Sequence, residues 1–383
     1  MEEGQHVILT DAMQMMYLPL DVIVESTGVP SAGAKHGLEA IRHGKHVAMV
    51  SKETDVVVGP ILKHLADEAG LVYTAVDGDQ HGLLMALVQW ARDLGLEVLS
   101  GGKSLEFDHI YDPRTKTISW STDSVSISDE QYTTFAPRSP EHPSIDSFKR
   151  REMLGDLGIV AGYDVTEMTI SANATGLVPD IDTLHAPIIR ISEIPEILAP
   201  KKEGGILSHR GVIDCVSCLR EAHEPGLGGG VFIVVSCEND YSRNILTSKG
   251  LIPNRKETTA LIYRPYHLCG VETPITTLVA GLLNMSTGAT NYHPSFDVIA
   301  RAKEDLKAGD QIGTDHMKTV EYLMRPAQPI APSNPLPFHM ASGNILNSDV
   351  PKGQLITAGV IQADETEPLW TLRKQQDTHF LGK

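Results

Sequence analysis

The chain has 383 residues, enough for two or three domains of ordinary size, and its 41% hydrophobic and 21% charged content is that of a soluble globular protein. A formal net charge of -17 disfavours nonspecific binding to nucleic acid or to an anionic membrane. No apolar run of 18 residues occurs, so no membrane span is predicted. The start Met-Glu-Glu-Gly-Gln lacks the basic and apolar regions of a secretory signal, and a cytoplasmic location is expected.

The first elements alternate. Val22 to Val24 reads as a short buried parallel strand closed by Thr27-Gly28, Ala32 to His43 as a helix stopped by Gly44, and Val47 to Val50 as the next strand. A helix from Val56 to Ala69, a strand from Leu71 to Val76 and a helix from Gly82 to Leu94 follow. This is a right-handed strand-helix-strand succession whose ligand edge lies at the strands' carboxyl ends, where Glu25 to Gly28 and Ser51 to Glu53 fall. It reads as the second half of a dinucleotide-binding fold. The first half would carry a glycine-rich turn, and the residues before Asp21 hold one glycine, Gly4.

Residues 96–295 are rich in strand candidates: Glu97 to Leu99, Val165 to Ser171, Val212 to Leu219, Val231 to Val235 and Thr259 to Tyr263. Asp108 to Pro143, polar and carrying Pro113, Pro137, Pro140 and Pro143, reads as an irregular flap. Helices are expected at Ser147 to Leu157 and Ile275 to Asn284. From Phe296 onward, "AKEDLKAGDQI" is echoed by "LNSDVPKGQLIT", each copy expected to form a tight glycine turn in a small β-rich module. The charged segment Thr371 to Lys383 is expected to fray.

The four cysteines make no disulfide framework, and Cys215-Val216-Ser217-Cys218 falls in a strand-like segment without the further ligands of a zinc site or the strand-to-helix setting of a redox motif. No metal site is expected. Gly101-Gly102-Lys103-Ser104 mimics the end of a phosphate-binding loop, but Glu97 stands where that loop needs its first glycine.

The blocks Asp21 to Gly28, Lys45 to Pro60, Asp77 to Gly82, Ser100 to Lys103, Asn173 to Asp180, Glu203 to Ser208 and Arg264 to Leu268 together resemble the oxidoreductases related to homoserine dehydrogenase that carry a C-terminal SAF module, among them the 1-deoxy-D-xylulose 5-phosphate reductoisomerase-like (DRL) proteins. The resemblance covers nearly all of the chain. It implies an α/β protein with an N-terminally truncated Rossmann-like domain (1–95), an α+β catalytic and dimerisation domain (96–295) and a small β-rich SAF domain (296–383). It implies NADP or NAD as cofactor, a small anionic hydroxy- or keto-substrate and a homodimer.

Within that resemblance, Lys52 and Lys103 are placed to stabilise an oxyanion, Asp79 and His267 to handle a proton, and Arg264 to clamp an acidic group with its two-pronged guanidinium. Asn173 and Ser208 are expected at the substrate, and Ser26, Thr27, Gly28 and Glu53 at the cofactor. For Lys52 the competing reading is a solvated lysine at a helix start. For His267 it is a core histidine bonded to backbone, and for Asp79 a helix cap. Two rival readings stand beside the enzyme: a ligand-binding descendant with a decayed nucleotide site, and a longer native chain whose translation start lies upstream.

Overall fold

The computed structural model describes residues 6–137, 147–288 and 291–382. The chain divides into two compact units, each assembled from separated stretches: residues 1–82, 161–175 and 268–383, and residues 83–160 and 176–267. Three consecutive domains were expected. The division differs because residues 161–175 pack with the first and last parts of the chain, a pairing that sequence order does not show.

In the first unit, strands Val22–Glu25, His46–Met49 and Tyr73–Ala75 form a three-stranded parallel sheet in that order, joined by helices Pro30–Arg42 and Lys52–Glu68. These are the expected elements with ends shifted by a few residues. Pro30 starts its helix where a missing N–H is harmless, and Gly44 closes the exit with φ of 70°. The segment leading into the first strand contains the 3-10 helix Ala12–Tyr17, capped by the Asp11 carboxylate on the Met13 N–H.

Helix Lys52–Glu68 contains Pro60, which has no N–H to give and crowds the carbonyl four residues back. The next rung, Ile61 N–H to Val57 carbonyl, is bridged by a side chain. The Gln376 amide accepts from Ile61 N at 3.1 Å and donates to Val57 O at 2.9 Å, both in the core. Gln376 lies on helix Pro368–Leu381, where Leu369, Trp370 and Leu372 are buried. One turn earlier, the fully buried Arg373 grips Asp297 with two bonds of 2.6 and 2.7 Å and Asp377 with a third of 2.8 Å. The expected fraying tail is therefore a docked helix as far as Leu381, with Arg373 and Asp377 in a buried ion-pair cluster and Lys374 in an exposed pair with Glu365; Lys383 lies outside the described residues.

Residues 161–175 correct another expectation. Val165 to Ser171 reads as strand because it is rich in β-branched residues, yet Gly162–Thr175 is a helix buried on nearly every side. Its hydroxyls make this tolerable. Thr166, Thr169, Ser171 and Thr175 each donate to the carbonyl four residues back, at 2.7–3.0 Å, so no hydroxyl needs water.

The echoed segments near the C-terminus pair with each other. Leu306 and Val350 exchange backbone bonds of 3.0 Å, and several flanking backbone contacts recur after a shift of 44 residues (Leu306 onto Val350). Asp305 accepts from Lys352 N as Asp349 accepts from Ala308 N. Gly309 N–H reaches Leu346 O as Gly353 N–H reaches Ala302 O, with φ of 93° and 87° at the two glycines. A local twofold relates the two copies. Strands Phe296–Ala302 and Val320–Pro326 form an antiparallel pair beside them.

The second unit is built on a ten-stranded mixed sheet. Its path runs Ile252–Pro253, Thr259–Arg264, Val231–Ser236, Glu97–Ser104, Val212–Glu221, His109–Asp112, Thr117–Trp120 and Asp123–Ser126, with Val178–Pro179 and Ile188–Ile189 also on Val212–Glu221. Gly102 is required here, since a Cβ would lie 1.6 Å from the Asp214 carbonyl. Three residues apart on one strand, Cys215 and Cys218 point to opposite faces, which excludes a bridge between them. The expected flap proves to be a strand meander followed by helix Asp129–Phe135, with a Ser128/Gln131 capping box; Pro140 and Pro143 lie outside the described residues.

Replacing Gln376 with Leu strands a buried N–H and a buried carbonyl in helix Lys52–Glu68, and we expect a loss of about 2–4 kcal/mol in chemical denaturation. A change within a few tenths of a kcal/mol would show that the helix closes the gap by itself.

Candidate functional site

Lys52 is the first residue of its helix, immediately beyond strand His46–Met49. A cation at a helix N-terminus opposes the helix dipole, so it needs carboxylates nearby. Glu167, from helix Gly162–Thr175, supplies one at 2.8 Å, and the Tyr163 ring lies 5.2 Å from the ammonium. Gly162 makes room for a second, because its N–H meets the Asp315 carbonyl at 3.2 Å where a Cβ would collide.

Burial pushes the Asp315 carboxyl above the usual carboxylate range, Glu167 adds to the rise, and Lys52 opposes it. Asp315 Oδ2 is buried without a hydrogen-bond partner. Glu53 is raised in the same way, by burial first, with Lys52 lowering and Asp315 and Glu167 raising. His339, pushed down to about 3 by burial and by Lys52, is neutral. The Thr166 hydroxyl donates to Gly162 O and so accepts at 2.9 Å from His339 Nε2, which fixes the tautomer. One ammonium thus faces acidic groups of which two hold protons more tightly than usual, an arrangement suited to stabilising negative charge and to exchanging a proton.

The same edge carries the residues expected at a cofactor. Gly28, φ 66°, donates its N–H to Ser51 Oγ at 2.8 Å, and the Glu53 carboxylate lies 4.0 Å from where a Gly28 Cβ would stand. Ser26 and Thr27 are exposed beside them. Glu25 is buried with Oε1 towards Thr27 N and His36 and with Oε2 unbonded.

The remaining expected residues of this unit lie elsewhere in it. Asp79 is buried in the turn after strand Tyr73–Ala75. Asn173, expected after a strand, is inside helix Gly162–Thr175, and its amide is committed to the backbone. Its Oδ1 accepts from Ser295 N and Phe296 N, and its Nδ2 donates to Phe296 O, which makes it a clip on that chain segment.

In the second unit, Lys103 is fully buried in strand Glu97–Ser104, in register with Cys215 on one side and Val231 on the other. The Arg264 guanidinium sits 4.9 Å from the Tyr266 ring centre. His267 packs against Gly229, where a Cβ would fall 2.4 Å from the ring, and its Nε2 is 4.0 Å from Glu106.

Ser208 belongs to a constellation that the sequence reading missed. Its N–H and hydroxyl both donate to Asp180 Oδ1. Asp180 Oδ2 is 3.3 Å from His185 Nε2, and His185 Nδ1 is 2.6 Å from Asp214 Oδ2. Asp214 Oδ1 also accepts from the backbone of His185, Ala186 and Cys215. Nδ1 bonds to Asp214, and the Asp180 carboxylate beside Nε2 adds a second negative charge that favours the protonated ring. Burial alone would lower the His185 pKa, but the Asp214 bond and charge, helped by Asp180, outweigh it and raise the value. At Asp180, too, burial is overcome, here by the Ser208 bonds and the two histidines His185 and His209, and its pKa falls.

Leu184 and Ala186, on either side of His185, have φ of 61° and 41°. Left-handed backbone at non-glycine residues costs about 1–3 kcal/mol each and gathers at functional sites. Two signals were legible: Asp180 closes the block Asn173 to Asp180, and Asp214 is the one charge in the apolar run Val212 to Leu219.

Residues 162–273 match the model of the catalytic domain of oxidoreductase DRL. That span holds Glu167, Asp180, His185, Ser208 and Asp214. The match supports an oxidoreductase of the DRL type. The 1-deoxy-D-xylulose 5-phosphate reductoisomerase of Clostridium perfringens is 38% identical over 68 residues, which span 18% of this chain and 17% of that enzyme. An oxidoreductase from Bacillus cereus is 12% identical, with 72% of this chain and 75% of that one covered and a TM-score of 0.30, too distant to bear on the fold. Among the described residues no helix is long and apolar enough to cross a membrane, and no group of three or more His, Cys, Asp or Glu could hold a metal ion.

A group whose folded-state pKa is raised contributes stability in full below its unfolded value, about 6.5 for histidine, and loses it as pH rises through the folded value. The melting temperature should therefore fall across that window, and His185→Gln should flatten the fall. An identical pH profile for the variant would remove the charge from His185.

Proposed function

We propose that this protein is an NAD(P)-dependent oxidoreductase acting on a small anionic hydroxy- or keto-substrate. The observation that carries the reading is the Lys52–Glu167 pair, in which a residue of the DRL-matching span holds an ammonium at the carboxyl edge of a parallel sheet. Open parallel sheets bind ligands at that edge. Lys52 stabilises the oxygen that becomes an alkoxide, Glu167 orients the ammonium, and Asp315 or Glu53, with raised affinity for protons, exchanges the proton.

The bound nicotinamide would supply or accept hydride. The residues fit one end of such a group: Glu25 and Glu53 accept from sugar hydroxyls, and Gly28 permits close approach. They do not fit its pyrophosphate, which needs N–H donors and positive charge, whereas this edge is acidic and its ammonium, Lys52, already faces a carboxylate. That mismatch favours the second reading, a ligand-binding descendant with a decayed nucleotide site.

Calorimetric titration with NADPH and NADH separates the two. Binding of either, with Lys52→Ala retaining it while turnover drops about 10²–10³-fold, is the expected result. No heat and no thermal shift with both would sink the dehydrogenase reading for this chain.

A further inference from the structure

The turn over residues 314–317 holds two titratable neighbours at its centre. Met317 N–H closes it on the Thr314 carbonyl at 3.2 Å, and the Tyr322 hydroxyl fastens both ends, accepting from Met317 N at 3.1 Å and donating to Thr314 O at 3.2 Å. The two residues inside differ sharply in exposure. The Asp315 side chain, where Gly162 lets the turn approach, is 9% exposed, and the His316 side chain is 72% exposed. His316 Nε2 nevertheless stays 3.7 Å from Asp315 Oδ1. The imidazole packs on Tyr163 at 5.3 Å between ring centres, and the Tyr163 ring centre is 5.2 Å from the Lys52 ammonium.

We infer that Asp315 and His316 form the path by which a proton moves between the Lys52 site and solvent. The inference rests on the reading of that site as one where a proton is exchanged, and it selects Asp315 over Glu53 for the task. The charges that act on Glu53 are those of Lys52, Asp315 and Glu167, whereas Asp315 also feels a histidine that solvent reaches. Asp315 Oδ2 is buried and unbonded, ready to accept from a substrate hydroxyl, while Oδ1 is the atom beside the imidazole. The two oxygens serve the two ends of one transfer.

In the outward direction the carboxyl O–H bond breaks as an N–H bond forms at His316 Nε2. Nδ1 then releases its own proton to water, so the ring ends neutral and a carboxylate is left under the influence of Lys52. Imidazole suits this step because its ordinary titration lies near neutrality, and burial lifts the carboxyl towards that range. The 3.7 Å gap exceeds a hydrogen bond by about half an ångström, which an exposed ring covers by rotating about its side-chain bonds.

Carbon-13 NMR of the full chain, labelled at aspartate and histidine, tests the path without substrate or cofactor. At the midpoint of the Asp315 titration, relaxation dispersion reads how fast the carboxyl gains and loses its proton. Lys52 and Glu53 on one helix, Glu167 on another and Tyr322 on strand Val320–Pro326 also act on or feel Asp315, and a substitution at His316 leaves all four in place. His316→Gln should slow the exchange on the order of 10-fold or more, and should move the titration upward because the charge that lowers it is gone. Added imidazole should restore the rate in the variant, which a purely structural role for His316 would not allow. An exchange rate unchanged in His316→Gln, or one that falls and does not respond to imidazole, would overturn the inference. The readout is protonation alone, so it stands apart from the cofactor titration. A slowed and rescuable exchange without NADPH or NADH binding keeps the path and removes the dehydrogenase reading, and cofactor binding with an unchanged exchange does the opposite.

Discussion

The first unit depends on how helix Lys52–Glu68 survives its own proline. Pro60 takes a donor out of the helix and leaves the Ile61–Val57 rung open, and the Gln376 amide closes that rung from more than 300 residues away. The same C-terminal helix is bolted to strand Phe296–Ala302 by Arg373 and Asp297. That strand's first residue is in turn clipped to helix Gly162–Thr175 by Asn173. A chain of buried, fully used polar groups therefore runs from the last helix to the one that presents Glu167 to Lys52. Buried networks of this kind specify one arrangement because a partly satisfied version is costly.

The electrostatics at Lys52 follow from that frame. Glu53 is fixed by the helix start, Glu167 by a helix with no spare hydroxyls, and Asp315 by the close approach that Gly162 allows. Burial makes three carboxyls compete for one ammonium, and they cannot all ionise cheaply. The raised affinities of Glu53 and Asp315 are the outcome. A site with a held cation beside carboxyls of raised proton affinity is chemically versatile, which is why the geometry favours a reaction class before it favours a substrate.

What was legible in the sequence was local. The alternation from Val22 to Asp93 needs only short-range periodicity and turn glycines, and it was read with its ends a few residues off. The echo between Leu306 and Val350 was visible as a repeat, but not that the two copies pair with each other. Helix Gly162–Thr175 was misread because its stability rests on hydroxyl bonds along its own axis and on burial on nearly all sides, which erase the 3.6-residue pattern. The site was legible only at Lys52, Glu53 and Gly28, which follow strands directly. Asp315 and His185 are brought to their places by tertiary contact, and no spacing announces them.

The recurring device in both units is a basic side chain set among carboxylates: Lys52, half-buried, bonded to Glu167 with Asp315 acting on it electrostatically, His185, largely buried, between Asp180 and Asp214, and Arg373, fully buried, between Asp297 and Asp377. In a chain with 49 acidic and 32 basic residues the cation is the scarce partner. Removing one carboxylate leaves a smaller but still compensated cluster. At the fully buried Arg373, removing the cation leaves two acidic groups facing each other out of water, and breaking a buried pair already costs about 3–5 kcal/mol. The sensitivity of these clusters to substitution is therefore asymmetric, and the three cations, more than the acids around them, are the positions on which the fold and its candidate chemistry turn.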